Sequence, residues 1–182
     1  MKNLKKISFL SIICFLFVFA ACSGRKLLKI PDKIIVYKSG EAKILSPSDK
    51  IFKEIVNLTN KRIDENKVST VKDGGSINNK YINDLKRSTL AVEFIYTSSQ
   101  KMEAKEDGFT PMNYSRLFFQ LKDLKPDSSD GYNSYNKTFQ YGTEENYTGS
   151  SRGPITESKE LIELVETLEM DTTVDDLLNY LH

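Results

Sequence analysis

One histidine and two cysteines are nearly all that this 182-residue chain offers to imidazole or thiol chemistry, and it has no tryptophan. The histidine, His182, is the last residue, where chains fray and hold no fixed geometry. Without a second imidazole, a Ser-His-Asp triad or a histidine-bearing zinc site has nothing to be built from. Charge of one sign is lacking too: 26 basic and 25 acidic side chains leave +1. Nucleic-acid binding proteins carry a clearly basic face, so this balance speaks against such a partner. No G-x-x-x-x-G-K-[ST] loop is present to cradle phosphates, and Asp73-Gly74-Gly75 lacks the lysine and hydroxyl that must follow.

Long apolar runs are scarce as well, with one exception at the start. Lys2, Lys5 and Lys6 precede an uncharged run of 15 residues, 7–21, which closes on Ala20 and Ala21 and is followed by Cys22. A basic start, a short apolar stretch and a small-residue processing site are the layout of a secretory signal. A membrane-crossing helix needs about 17–25 apolar residues, so the run is short for a permanent anchor. Cys14 lies inside the run and would leave with it.

Phe19-Ala20-Ala21-Cys22 resembles the lipobox of bacterial lipoproteins, with Phe19 where that motif more often carries leucine. The resemblance covers residues 1–24 only. It implies cleavage before Cys22, a diacylglycerol on its sulfur, and attachment to the extracytoplasmic face of the cell membrane. Ordinary secretion with a free thiol at Cys22 and an uncleaved anchor are the competing readings. Two acyl chains hold a protein stably on a bilayer, whereas one holds it only marginally.

Three segments follow from this reading: a signal peptide over 1–21, a lipidated cysteine with its tether over 22–32, and one extracytoplasmic domain over 33–182. Losing residues 1–21 takes the basic side chains to 23 against 25 acids, a net charge of −2 in 161 residues. That length is one domain with room for a real core. With Cys14 gone no internal disulfide can form. Ser23–Pro31 would act as the tether, with Arg25, Lys26, Lys29 and Lys33 either solvated or set against anionic headgroups.

Along the domain, Lys33–Tyr37 and Ala42–Leu45 read as a hairpin turning at Lys38–Glu41. Ser46-Pro47-Ser48-Asp49 looks like a helix start, with the helix expected to reach Glu65 and to bury Phe52, Ile55, Val56, Thr59 and Ile63. A second helix is expected over Ile77–Arg87, with Ile77, Tyr81, Ile82 and Leu85 as its stripe. Thr89–Tyr96 is the best strand, with Gln100–Ala104 as its expected return, and Lys105–Gly108 as a turn. Tyr114–Leu121 and Thr138–Tyr141 read as further strands. Thr156 or Ser158 and then Thr172 or Thr173 are expected to open two last helices. Helices and strands mix without strict alternation, so the predicted fold class is α+β, a single domain with a mainly antiparallel sheet and three to four helices.

Two motifs fail on inspection. Ser134-Tyr135-Asn136-Lys137 fits S-x-x-K, but the companion elements of penicillin-recognising enzymes are missing. Asp127–Gly131 hints at calcium, yet an EF-hand register puts Lys137 where an acid ligand is required. Glu93 lies within the best strand and would titrate abnormally if it faced inward. A sheet solvated on one face would turn it to water instead. Tyr132, Tyr135, Tyr141 and Tyr147 sit among Gly, Ser and Asn, as in adaptable recognition loops, and are the candidate binding residues. No catalytic residue, metal ligand or cofactor is assigned.

Two functional classes remain. One is a non-enzymatic binding or regulatory module of the envelope, whose partner is an envelope protein or peptide. Small lipoproteins that regulate envelope proteins or give bacteriocin immunity are similar in size and layout. The other is an envelope hydrolase working with carboxylates alone, since glycosidases need only two acids at a suitable separation.

Overall fold

Alternating apolar residues over Lys33–Lys38 (β1) and Glu41–Leu45 (β2) form the expected hairpin, closed by Ser39 and Gly40 at φ of 56° and 84°. Positive φ at both central residues makes a tight turn whose twist matches the flanking strands. The computed structural model describes residues 27–71, 77–123, 137–144, 146–147 and 150–180. Cys22, Tyr132, Tyr135, Ser134, His182 and the Asp127–Gly131 motif lie outside the described residues.

The remaining elements are helix Phe52–Lys61 (α1), strand Ser69–Thr70 (β3), helix Asn79–Ser88 (α2), strands Thr89–Met102 (β4), Met112–Asp123 (β5), Gln140–Thr143 (β6), Asn146–Tyr147 (β7) and Arg152–Gly153 (β8), helix Lys159–Glu166 (α3), strand Thr172–Thr173 (β9) and helix Val174–Tyr180 (α4). Seven strands form one sheet in the order β7-β6-β5-β4-β1-β2-β9, and β3 pairs with β8 in a separate ladder. Every described strand pair is antiparallel. The chain is a single α+β domain with a mainly antiparallel, curled sheet and, among the described residues, four helices.

Both faces of this sheet are covered, which decides where every strand side chain goes. Even-numbered residues of β1 and β4 (Ile34, Val36, Leu90, Val92 and Phe94) join Leu117 and Phe119 of β5 under α1 and α3, which contribute Phe52, Ile55, Leu161 and Val165. Odd-numbered Ile35, Tyr37 and Ala91 face the other way with Phe118, under Ile82 of α2 and Val174 and Leu177 of α4. The period of two along each strand separates these two cores.

Side-chain caps form at three of the four helices, two of them at the expected Ser158 and Thr173, while the second helix begins at Asn79 behind Asn78 and not at the expected Ile77. Asn78 and Ser158 accept from the amides of Tyr81 and Leu161, and the Thr173 hydroxyl accepts from the Asp176 amide. Side chains that take an otherwise unpartnered first-turn N–H fix where a helix begins. The first helix is the exception. It starts at Phe52, six residues after Ser46, and ends at Lys61 rather than Glu65. Ser46 and Asp49 make their own turn, with the amide and hydroxyl of Ser46 both donating to the Asp49 carboxylate at 2.6 and 2.9 Å. Such side-chain to backbone bonds compete with helix formation. The second correction concerns Gln100–Ala104. β4 runs on to Met102 through an irregularity after Ile95, and its return is β5. The polar turn around Lys105–Gly108 is the β4–β5 connection itself, with the Phe109 amide donating to the Glu106 carbonyl.

The segment before β1 belongs to the domain from Leu28 onward. Leu28 is buried in the larger core, and its amide donates to Asn60 Oδ1 at 3.0 Å. The Lys29 carbonyl accepts from the Tyr96 hydroxyl, and Pro31 is buried. Residues 28–31, read from sequence as part of a tether, are therefore packed into or hydrogen-bonded to the domain over most of their length.

Candidate functional site

Glu93, on β4, is the one fully buried acid among the described residues, and four other elements converge on it. Strand pairing sets Glu93 of β4 opposite Ile35 of β1 and Phe118 of β5. Two residues along β1 on the same face stands Tyr37, and two residues back along β5 stands Arg116. Diagonal neighbours at this spacing lie within reach of long side chains. From above, α2 delivers Lys86, one helical turn beyond the buried Ile82 and so on the same face. From the sheet edge, β7 delivers Tyr147, paired opposite Gly142.

Both carboxylate oxygens are occupied. Tyr37 donates its hydroxyl to Oε2 at 2.5 Å, and Lys86 Nζ stands 3.0 Å from the same oxygen. Tyr147 donates to Oε1 at 2.5 Å, with an Arg116 guanidinium nitrogen at 3.6 Å. Lys86 Nζ also lies over the rings of Tyr37 and Tyr147, 5.3 and 5.6 Å from their centroids. Phe118 packs between the two tyrosines at 6.3 Å from each. Tyr147 is fixed in turn by α2, through its amide donating to Asn79 Oδ1 at 2.7 Å. Gly142 is required where it is, because a Cβ there would stand 2.4 Å from the Asn146 carbonyl oxygen in the hairpin that carries Tyr147.

Burial by itself raises the Glu93 pKa. The charges of Lys86 and Arg116 and the two tyrosine hydroxyls outweigh it, so the carboxyl lies below its ordinary value. Burial pushes Tyr37 and Tyr147 far up, and the Glu93 charge and hydrogen bonds push them further. At neutral pH the cluster is one carboxylate, two cations and two neutral phenols. The three shifts all lead away from neutral pH, the carboxyl downwards and the two phenols upwards. What the arrangement does is fasten β1, β4, β5, β7 and α2 at one point. Removing one partner of such a buried set strands the charge of the other, which is strongly destabilising.

The signs of these shifts set a pH prediction. Stability contributed by ionised Glu93 is fully present above the ordinary carboxylate pKa of about 4.3 and is lost as pH falls towards the lower folded value. The tyrosines act at the other limit. Their folded pKa values exceed the ordinary value of about 10, so the unfolded chain releases protons that the folded one keeps. Stability should fall above about pH 10, each such tyrosine adding up to about 1.4 kcal/mol per pH unit. Tyr114, pushed by burial to about 12, and Tyr96, pushed higher, add to this. Urea unfolding across alkaline pH, read with tyrosinate absorbance, checks it. A cooperative late step that coincides with unfolding is expected, and smooth titration of every tyrosine near pH 10 in a folded protein would contradict it.

The candidate tyrosines described here stand in different places. Tyr147 is 5% exposed with its hydroxyl spent on Glu93, and Tyr141 is half-buried with its ring 4.8 Å from the Arg152 guanidinium. The structure brings Glu93 and Tyr147 together and leaves Tyr141 apart from them. Sequence reasoning missed Tyr37, Lys86 and Arg116. A signal for Lys86 existed: it falls four residues after Ile82, on the apolar stripe of α2, where a lysine interrupts a buried face. Among the described residues, no group of three His, Cys, Asp or Glu side chains is placed to hold a metal ion. No family model matches this sequence, no curated protein matches it, and no solved structure matches it.

Proposed function

We propose that this chain is a lipid-anchored protein of the extracytoplasmic face of the cell membrane, whose domain binds an envelope protein or peptide and does not transform a substrate. The observation that carries the anchor is Cys22, set directly after Ala20 and Ala21 at the end of a basic-then-apolar leader. Within the Glu93 cluster the carboxylate, both phenol hydroxyls and the Lys86 ammonium are engaged with one another, so these groups serve the fold and leave function to the surface. A hydrolase working by two carboxylates is the second reading. It is less well supported, because the groups around Glu93 are two phenols and two cations and not a second acid. A bacteriocin-immunity lipoprotein is one form the binding reading takes.

Growing cells with a clickable fatty acid tests the anchor. The protein is expected to carry the label and to partition with membranes, and Cys22→Ala is expected to lose both. An unchanged mass in the Cys22→Ala variant, beyond the residue difference, would exclude lipidation. Photoreactive residues at Tyr132 and Tyr135 in the anchored protein test the partner, with a discrete membrane-protein adduct as the expected product. Release of reducing ends from purified cell wall by the domain would favour the hydrolase.

A further inference from the structure

The described residues leave two large apolar side chains exposed, Ile30 at 72% and Ile44 at 40%. Their positions are not independent. Ile30 lies just before β1, and Ile44 pairs with Ile35 near the start of that strand, next to Leu45 opposite Ile34. Both isoleucines therefore stand at the end of the sheet where the chain enters β1.

Ile30 is held in place on both sides. Leu28 and Pro31 are buried around it. The backbone is pinned by the Leu28 amide on Asn60, the Lys29 carbonyl on the Tyr96 hydroxyl, and the Asp32 amide on the Ile95 carbonyl. An isoleucine fixed in water by a rigid backbone is a built feature of this surface, not a loose end.

The chain before it supplies the occupant. Five residue steps separate Cys22 from Leu27, and an extended chain spans no more than about 18 Å over them. With lipid on Cys22, the end of the sheet carrying Ile30 cannot leave the neighbourhood of the headgroups. Exposed Lys29 is next to Ile30, and exposed Lys50 lies in the turn that follows Leu45. Asp32 and Asp49 keep their charge while accepting from Thr97 and Ser46 groups, but residues 23–33 carry Arg25, Lys26, Lys29 and Lys33 against Asp32 alone, so the entering chain is net basic.

We propose that this end of the sheet docks on an anionic phospholipid surface, with Ile30 and Ile44 entering the interface and Lys29 and Lys50 facing the headgroups. The inference rests on the lipid-anchor reading above and adds an orientation to it: the sheet stands on its β1-entry end, and the Ser39–Gly40 turn points away from the membrane. The contact needs little affinity of its own, because the anchor makes it intramolecular and raises the effective lipid concentration.

The test uses the full protein purified from membranes, with lipid on Cys22 verified by mass. A polarity-sensitive fluorophore is placed by Ile30→Cys, Ile44→Cys or Glu41→Cys, the last at the far end of the hairpin. Each protein is reconstituted in vesicles of phosphatidylcholine and phosphatidylglycerol containing brominated lipid. Blue-shifted emission and quenching are expected at 30 and 44 and not at 41, with weaker quenching at 30 when phosphatidylglycerol is omitted. Equal, unquenched emission at 30 and 41 on a verified lipidated protein would overturn the docking and leave the anchor standing. A Cys22 found unlipidated, its thiol open to the same fluorophore, would overturn both.

Discussion

Glu93→Gln is expected to lower the unfolding free energy by about 3–5 kcal/mol, the range for removing one partner of a buried ion pair. Glutamine fills the same volume, so the loss is electrostatic. Lys86, only 2% exposed, keeps its charge but loses its counter-ion. Arg116 is less affected, because its side chain is 17% exposed and reaches solvent. The amide adds a second difficulty. Both tyrosines donate to the carboxylate, and a glutamine NH2 removes one acceptor, so the hydroxyl facing it must turn and accept instead. Adding Lys86→Met removes the stranded cation, and the double variant is expected to recover most of the loss. That recovery distinguishes an uncompensated charge from a packing defect. Urea midpoints at pH 7 with an unchanged slope would check both variants. A single-variant loss under about 1 kcal/mol, as seen for exposed pairs, would mean that water reaches the cluster.

On the opposite face of the sheet, Phe119→Ala should cost about as much for an unrelated reason, about 3–5 kcal/mol for a buried phenylalanine. Phe119 is fully buried and lies at the centre of an aromatic row, its ring 5.5 Å from Phe94 and stacked 5.2 Å from Phe139. Truncation leaves a cavity bounded by the rigid sheet and by α1 and α3, which cannot close over it without breaking strand pairing. The two variants separate by pH. The Phe119→Ala penalty should stay constant from pH 5 to 9, since no ionisable group changes its surroundings. The Glu93→Gln penalty should shrink as pH falls below about 4.3, where the unfolded wild type takes up a proton that folded Glu93, with its lower pKa, still refuses. A pH-dependent Phe119→Ala penalty would show that the two faces of the sheet are coupled.

The local elements were legible because their causes are local. The hairpin of β1 and β2 needs only alternation and a Ser-Gly turn, and the stripe Ile77, Tyr81, Ile82, Leu85 predicts a helix that packs through the last three, with Ile77 just ahead of its cap and Lys86 added. Where reading failed, a competing local bond or a missing boundary explains it. Ser46 satisfied Asp49 in a turn before any helix formed. The polar residues Thr97–Gln100 looked like the end of a strand, yet β4 continues through them because β5 still pairs with Gln100–Met102.

The site was a different matter. Composition and the order of residues determined the α+β mixture, the opening hairpin, the best strand and the starts of the last two helices. They also singled out Glu93 without settling its direction, since a sheet bare on one side would have turned it to water. Only the tertiary structure decided that, by laying α2 and α4 over the face that Glu93 shares with Tyr37. Its two tyrosine partners come from 56 and 54 positions away in the chain, so no local pattern announces them. Burying a charge is costly unless other groups surround it, and the groups that make Glu93 tolerable are assembled only when sheet, edge strand and helix are packed together.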